Sequence, residues 1–142
     1  MQRPEAQRLL RLQRLEKVRA IAKQTAAREA AEAESTLAQL EALAARTGQM
    51  EADYAARSDH QDGGALRLLS GFRAGLAGVS AATRADAGKA RRFADGKLTR
   101  LAEAERQRQA VEDRAKLQAE AIARGLEMPA LGGRKAIGTA LE

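Results

Sequence analysis

The chain has 142 residues and a net charge of +6, from 25 basic and 19 acidic side chains; 44% of it is apolar, but 34 of its residues are alanine and only Tyr54, Phe72 and Phe93 are aromatic. Alanine favours helix strongly yet buries little area, so this composition excludes a thick globular core and marks long helices. The lack of cysteine excludes disulfides, thiol catalysis and thiolate metal sites, and the lack of any run of eighteen apolar residues excludes a bilayer-spanning helix.

The first predicted element is a helix over residues 4–57. Pro4 suits the first helical position, where its missing N–H costs nothing, and Glu5 favours the positive helix terminus. An apolar line follows at steps of three and four: Leu12, Leu15, Val18, Ala22, Ala26, Ala30, Ala33, Leu37, Leu40, Ala44, Thr47, Met50 and Tyr54. The run of fours from Val18 to Ala30 departs from a strict heptad and predicts a locally relaxed supercoil. A helix of this length would reach roughly 80 Å.

Residues 58–64, Ser-Asp-His-Gln-Asp-Gly-Gly, predict a polar turn. Its glycines permit positive φ, and Asp62 can cap the next helix. His60, the single histidine, reads as a solvated turn residue.

A second helix is predicted over 65–125, with Leu69, Phe72, Leu76, Val79, Thr83, Ala90, Phe93 or Ala94, Leu98, Leu101, Ala104, Val111, Ala115 and Ile122 on its seam. Gly71, Gly75, Gly78, Gly88 and Gly96 each cost about 1 kcal/mol in a helix interior, so 71–96 is expected to be the loosest part, kinked or ordered on binding. Gly125, with Pro129 beyond it, predicts a helix stop. Residues 126–142 then form a flexible tail, whose Leu131, Ile137 and Leu141 are a weak docking signal. The fold expected is all-α: an antiparallel two-helix coiled-coil hairpin over 1–125, with a short polar turn and a flexible C-terminal tail.

Charge is unevenly spread. Residues 1–28 carry eight basic and two acidic side chains, residues 29–57 two basic and six acidic, and residues 91–125 nine basic and six acidic. In a hairpin the first and last of these segments lie side by side, so the open end is basic and would steer an acidic partner. The candidate cations there are Arg8, Arg11, Arg14, Lys17, Arg106, Arg108 and Arg114. Nearer the turn, Leu43, Met50, Tyr54, Phe72, Leu76 and Val79 are bulky for this chain. They either pack the hairpin or form a partner surface, since two helices cannot bury them all.

The chemistry of a catalyst is missing. Gly71-Phe72-Arg73-Ala74-Gly75 lies in a helical pattern with no preceding strand and no following Gly-Lys-Ser or Gly-Lys-Thr. Carboxylates such as Glu29, Glu32 and Glu34 fall on a face expected to be exposed, without the concave, dry surroundings that tune pKa values. No enzyme activity and no cofactor are expected. Against specific nucleic-acid binding, Glu103, Glu105, Glu112 and Asp113 interleave the basic residues, and few aromatics exist to stack on bases. A membrane-surface helix would want Trp and a broad bulky apolar face. The N-terminal residues lack the apolar core of a secretory signal, so a cytoplasmic location is expected.

The opening Leu9-Leu10-Arg11-Leu12-Gln13-Arg14-Leu15-Glu16-Lys17-Val18-Arg19 resembles the start of the FliJ family of flagellar type III export proteins. The Ala/Glu-rich stretch Ala26 to Ala45, Tyr54 before the turn, Phe72-Arg73-Ala74-Gly75-Leu76 after it, and the charged segments Leu98–Leu101 and Arg106–Glu112 are similar to that family too. The resemblance covers about residues 8–124. It implies an antiparallel coiled coil akin to the central stalk of rotary ATPases, with the open end inserted into the ring of the flagellar export ATPase. A surface nearer the turn would contact the export gate in the membrane, and export chaperones would be further partners. On that resemblance the cations named above would meet the ATPase, the bulky set would meet the gate, and the protein would be peripheral at the inner face of the cell membrane through its partners. A basic nucleic-acid-binding coiled coil or a generic scaffold is the alternative.

Overall fold

The structure is a computed structural model that describes the backbone of residues 3–57 and 62–139 and the side chains of residues 3–57 and 62–126. It consists of helix α1 (Pro4–Ala56) and helix α2 (Gly63–Thr139), with no strand among the described residues. His60 and the rest of 58–61 lie outside the described residues, as does Leu141. The expected cap is present: Asp62 accepts through Oδ1 from the Ala65 backbone N–H at 2.6 Å, and its carbonyl accepts from Leu66 N–H at 3.1 Å.

The chain divides into two units, each holding a stretch of α1 paired antiparallel with a stretch of α2. Unit 1 comprises Met1–Thr25 with Leu101–Glu142, and unit 2 comprises Ala26–Arg100.

Unit 2 is an alanine seam. On α1 the seam positions are 26, 30, 33, 37, 40, 44, 47, 51 and 54, flanked by half-buried 27, 29 and 48, and on α2 they are 69, 76, 80, 83, 87, 90, 94 and 97, flanked by half-buried 77 and 88. From 26 on α1 and from 76 on α2, the steps alternate between four and three, the spacing that keeps one face toward a partner helix. The core is Ala33, Leu37 and Ala94, with Ala90 packed against it; Ala94 is fully buried. Toward the turn the seam becomes polar. The hydroxyls of Thr47 and Thr83 lie 3.2 Å apart, and each also reaches a carbonyl of its own helix, Ala44 at 3.1 Å and Ser80 at 3.0 Å. Each hydroxyl has one hydrogen, so one donates across the seam while the other donates back to its own helix. Ser80 is buried with no partner for its Oγ among the described residues, which costs stability at this point of the seam.

Unit 1 differs from expectation. Its covered α1 positions include Leu12, Glu16, Arg19 and Lys23, continuing the alternation of fours and threes; Leu15 and Ala22 are exposed, as are Val18 and Ile21, both more than half. The run of fours is therefore not followed. The heptad is kept, and of the charged side chains that enter the seam Lys23 pairs with Glu105 and Arg19 with Gln107 across it. On α2 the matching positions are 101, 104, 108, 111, 115, 118 and 122, with Val111 and Ala115 buried.

Further corrections concern α2. Phe72, Val79, Phe93 and Leu98 lie outside the seam and are exposed, and on α1 Met50 is exposed as well. The glycine-rich stretch 71–96 is continuous helix. Nor does the helix end at Gly125: it runs through Pro129 to Thr139, so residues 126–139 extend α2 instead of forming the expected tail. A glycine stop needs the left-handed conformation, and no described glycine has a positive φ.

Candidate functional site

The first candidate surface lies in unit 1. Two contacts bracket the pairing: Gln118 Nε2 donates to the Glu5 carbonyl at 3.3 Å, and Lys23 Nζ meets Glu105 Oε2 at 2.8 Å. Residues 8–17 of α1 therefore lie alongside roughly 108–116 of α2, which brings the two predicted basic groups together. Arg8, Arg11, Arg14, Lys17, Arg106 and Arg114 are all exposed, and none has a carboxylate partner among the described residues.

Arg108 differs from the other six. It is partly buried in the seam, gripping Glu105 through Nε at 3.0 Å and Nη2 at 2.8 Å while Nη1 meets Glu112 at 2.8 Å. Its guanidinium is therefore engaged by two glutamates, whereas the other six cations are not. Lys116 completes the network on Glu112 at 3.3 Å, and Arg19 Nη1 donates to Gln107 Oε1 at 2.9 Å. Hydrogen bonds from Arg108 and then Lys23 hold the Glu105 carboxyl well below its usual value near 4.5, at about 2. Arg108, followed by Lys116, lowers Glu112 in the same direction, and the two carboxylates raise Arg108 further.

These shifts carry a sign. A carboxylate whose folded pKa is depressed contributes stability above its unfolded value and loses it as pH falls through the folded one. Unit 1 should therefore loosen as pH drops from about 4.5 toward about 2, the window set by Glu105. Amide exchange should show protection falling at residues 12–23 and 104–118 across that range. A Glu105→Gln/Glu112→Gln variant should show a smaller acid-dependent loss, and an unchanged loss would assign acid sensitivity elsewhere.

The second candidate surface is one flank of unit 2. Phe72, Val79, Asp86 and Phe93 recur at intervals of seven on α2, and Thr36, Leu43 and Met50 do so on α1. Seven residues are two helical turns, so each set shares a face. Leu43, Met50, Phe72, Val79 and Phe93 are 42%, 40%, 47%, 51% and 62% exposed, so a large part of each side chain is left outside the hairpin. Tyr54 is half-buried; its ring stands 4.7 Å from Phe72 at 57°, with the Arg57 guanidinium 4.2 Å above it. Leu76 is buried in the seam and belongs to the core, not to this surface.

The sequence admits either Phe93 or Ala94 to the core; the structure buries Ala94 and turns Phe93 outward. It lines an open groove with Thr36, Leu40 and Lys97, and Lys97 Nζ sits 5.2 Å from its ring while pairing with Glu29 at 3.0 Å. The signal that finds Phe93 is its seven-residue register with Phe72 and Val79.

Compared with known protein families, curated proteins and solved structures, the chain matches none of them. No helix among the described residues is long and apolar enough to cross a membrane.

Proposed function

We propose that this chain is a non-enzymatic coupling factor of a flagellar type III protein export apparatus, binding by surfaces and not by a pocket. The observation that supports it best is the division of charge in unit 1. Inside the seam Arg108 is neutralised by glutamates, while Arg8, Arg11, Arg14, Lys17, Arg106 and Arg114 face water unpaired among the described residues. Long, unpaired basic side chains attract an acidic ring interior without fixing one orientation, as an axle that must turn or tilt requires. In this reading they enter the export ATPase ring. The exposed flank of Leu43, Met50, Phe72 and Val79, joined by half-buried Tyr54 and by Phe93, meets the export gate. Export chaperones are carried as further partners, and the protein is cytoplasmic, held at the inner membrane face only through those partners.

The test is a pull-down of the full chain with a flagellar export ATPase, with and without nucleotide. Charge reversal of Arg8, Arg11, Arg14 and Lys17 to Glu should abolish capture. These residues are exposed and unpaired among the described residues, so helix content and thermal midpoint should stay close to those of the unmodified chain. Normal capture by the reversed variant would remove the reading. Steep, salt-sensitive retention on duplex DNA without ATPase capture would favour a basic nucleic-acid-binding coiled coil instead.

A further inference from the structure

The same stretch of α1 has a feature that free charge does not explain. Val18 and Ile21 are 60% and 62% exposed, and Leu10 is 40% exposed. They fall between the positions that α2 covers, so they stand on the side of α1 turned away from it. Leu10 and Ile21 are eleven residues apart, close to three full turns, and so share one azimuth, with Val18 one turn before Ile21. Arg14 and Lys17 lie on the same line between Leu10 and Ile21, and Arg11 lies two turns before Val18. The outcome is a strip about 16 Å long, apolar at its ends and cationic in its middle.

We propose that this outward face of α1 in unit 1 docks an acidic amphipathic α-helix of a partner protein. Charge complementarity selects the sign: the nearest α1 carboxylate, Glu16, is half-buried on the seam side, leaving Arg11, Arg14 and Lys17 unopposed. The width selects the shape. Steps of four, three and four form a single-helix seam, into which a partner line of leucines with carboxylates between them fits. An anionic lipid surface would reward a broad face with aromatic anchors, and α1 has no aromatic residue before Tyr54. The strip supports a weak, exchangeable contact, because three aliphatic side chains bury far less than a permanent interface needs.

The inference does not rest on the export reading. Peptide binding without ATPase capture would keep it and remove that reading, and capture without peptide binding would do the reverse.

The probe is a synthetic six-turn helical peptide with leucines along one line and glutamates beside it, followed by fluorescence anisotropy with the full chain. Binding is expected, weakened at least about tenfold by Glu→Gln exchange in the peptide and by Val18→Ser/Ile21→Ser in the chain. The serine variant should keep the unmodified melting curve, because both side chains already face water. As a second variant, Arg14→Glu/Lys17→Glu should also lose binding. Equal affinity of the serine variant would show charge attraction alone and overturn the proposal. So would failure of the peptide to bind, or preferential capture by vesicles of mixed zwitterionic and anionic phospholipid.

Discussion

Replacing Gly71, Gly75, Gly78 and Gly96 together by alanine should stabilise the protein by about 3 kcal/mol and raise its thermal midpoint by about 10 °C. All four lie in α2, none has a positive φ, and a Cβ at any of them meets nothing within 4 Å. The substitution therefore costs no strain in the helix, while each alanine removes backbone freedom from the unfolded chain. Gly88 is left out so that no new side-chain contact enters the measurement, since its Cβ would stand at an ordinary van der Waals distance of 3.8 Å from Arg92 Nη1. Circular dichroism melts check the outcome, and a lowered midpoint would show that these glycines are needed for a conformation other than straight helix. The functional consequence is separable. Gly71, Gly75 and Gly78 flank Phe72 and Val79, the exposed side chains of the second candidate surface. If that surface must yield to a partner, the stabilised variant will bind the export gate proposed above more weakly although it folds better.

On α1 the sequence pattern finds the seam in unit 2 and misses it in unit 1. In unit 2 the apolar line of α1 and its true seam largely coincide, because Ala30, Ala33, Leu37, Leu40 and Ala44 are apolar residues at heptad positions. In unit 1 hydrophobicity points to Leu15, Val18 and Ala22, whereas the covered positions carry Glu16, Arg19 and Lys23. Lys23 and Arg19 are held in that seam by partners on α2, and the pairing of Lys23 with Glu105 or Arg19 with Gln107 spans more than eighty residues of sequence. Nothing local announces it. The reading of Gly125 as a stop failed differently, since glycine permits a left-handed cap without compelling one. Of the candidate surfaces, the exposed cations were legible because long basic side chains favour water. The division of the bulky set into the core residue Leu76 and the outward Phe72 and Val79 was not, because all three fall at helical spacing and only the partner helix decides which it covers.

Ala94→Leu should destabilise unit 2 by about 2–3 kcal/mol, visible as a clear drop in the thermal or urea midpoint. Ala94 is fully buried and packs with Ala33 and Leu37, so three added carbons have no space unless the helices move apart. Separation would forfeit contacts along the neighbouring alanines, which reach across the seam only when the backbones are close. The opposite error, Leu37→Ala, should cost about 2–4 kcal/mol through lost burial and a cavity. The two changes are opposite in volume and in contact, so the double variant should be appreciably more stable than the two losses combined would give, a coupling expected only between touching residues. Strict additivity would place Leu37 and Ala94 apart and invalidate the register. A positive coupling fixes this pairing of α1 and α2 in unit 2, and with it the registry that sets Leu43, Met50, Phe72, Val79 and Phe93 along one exposed flank.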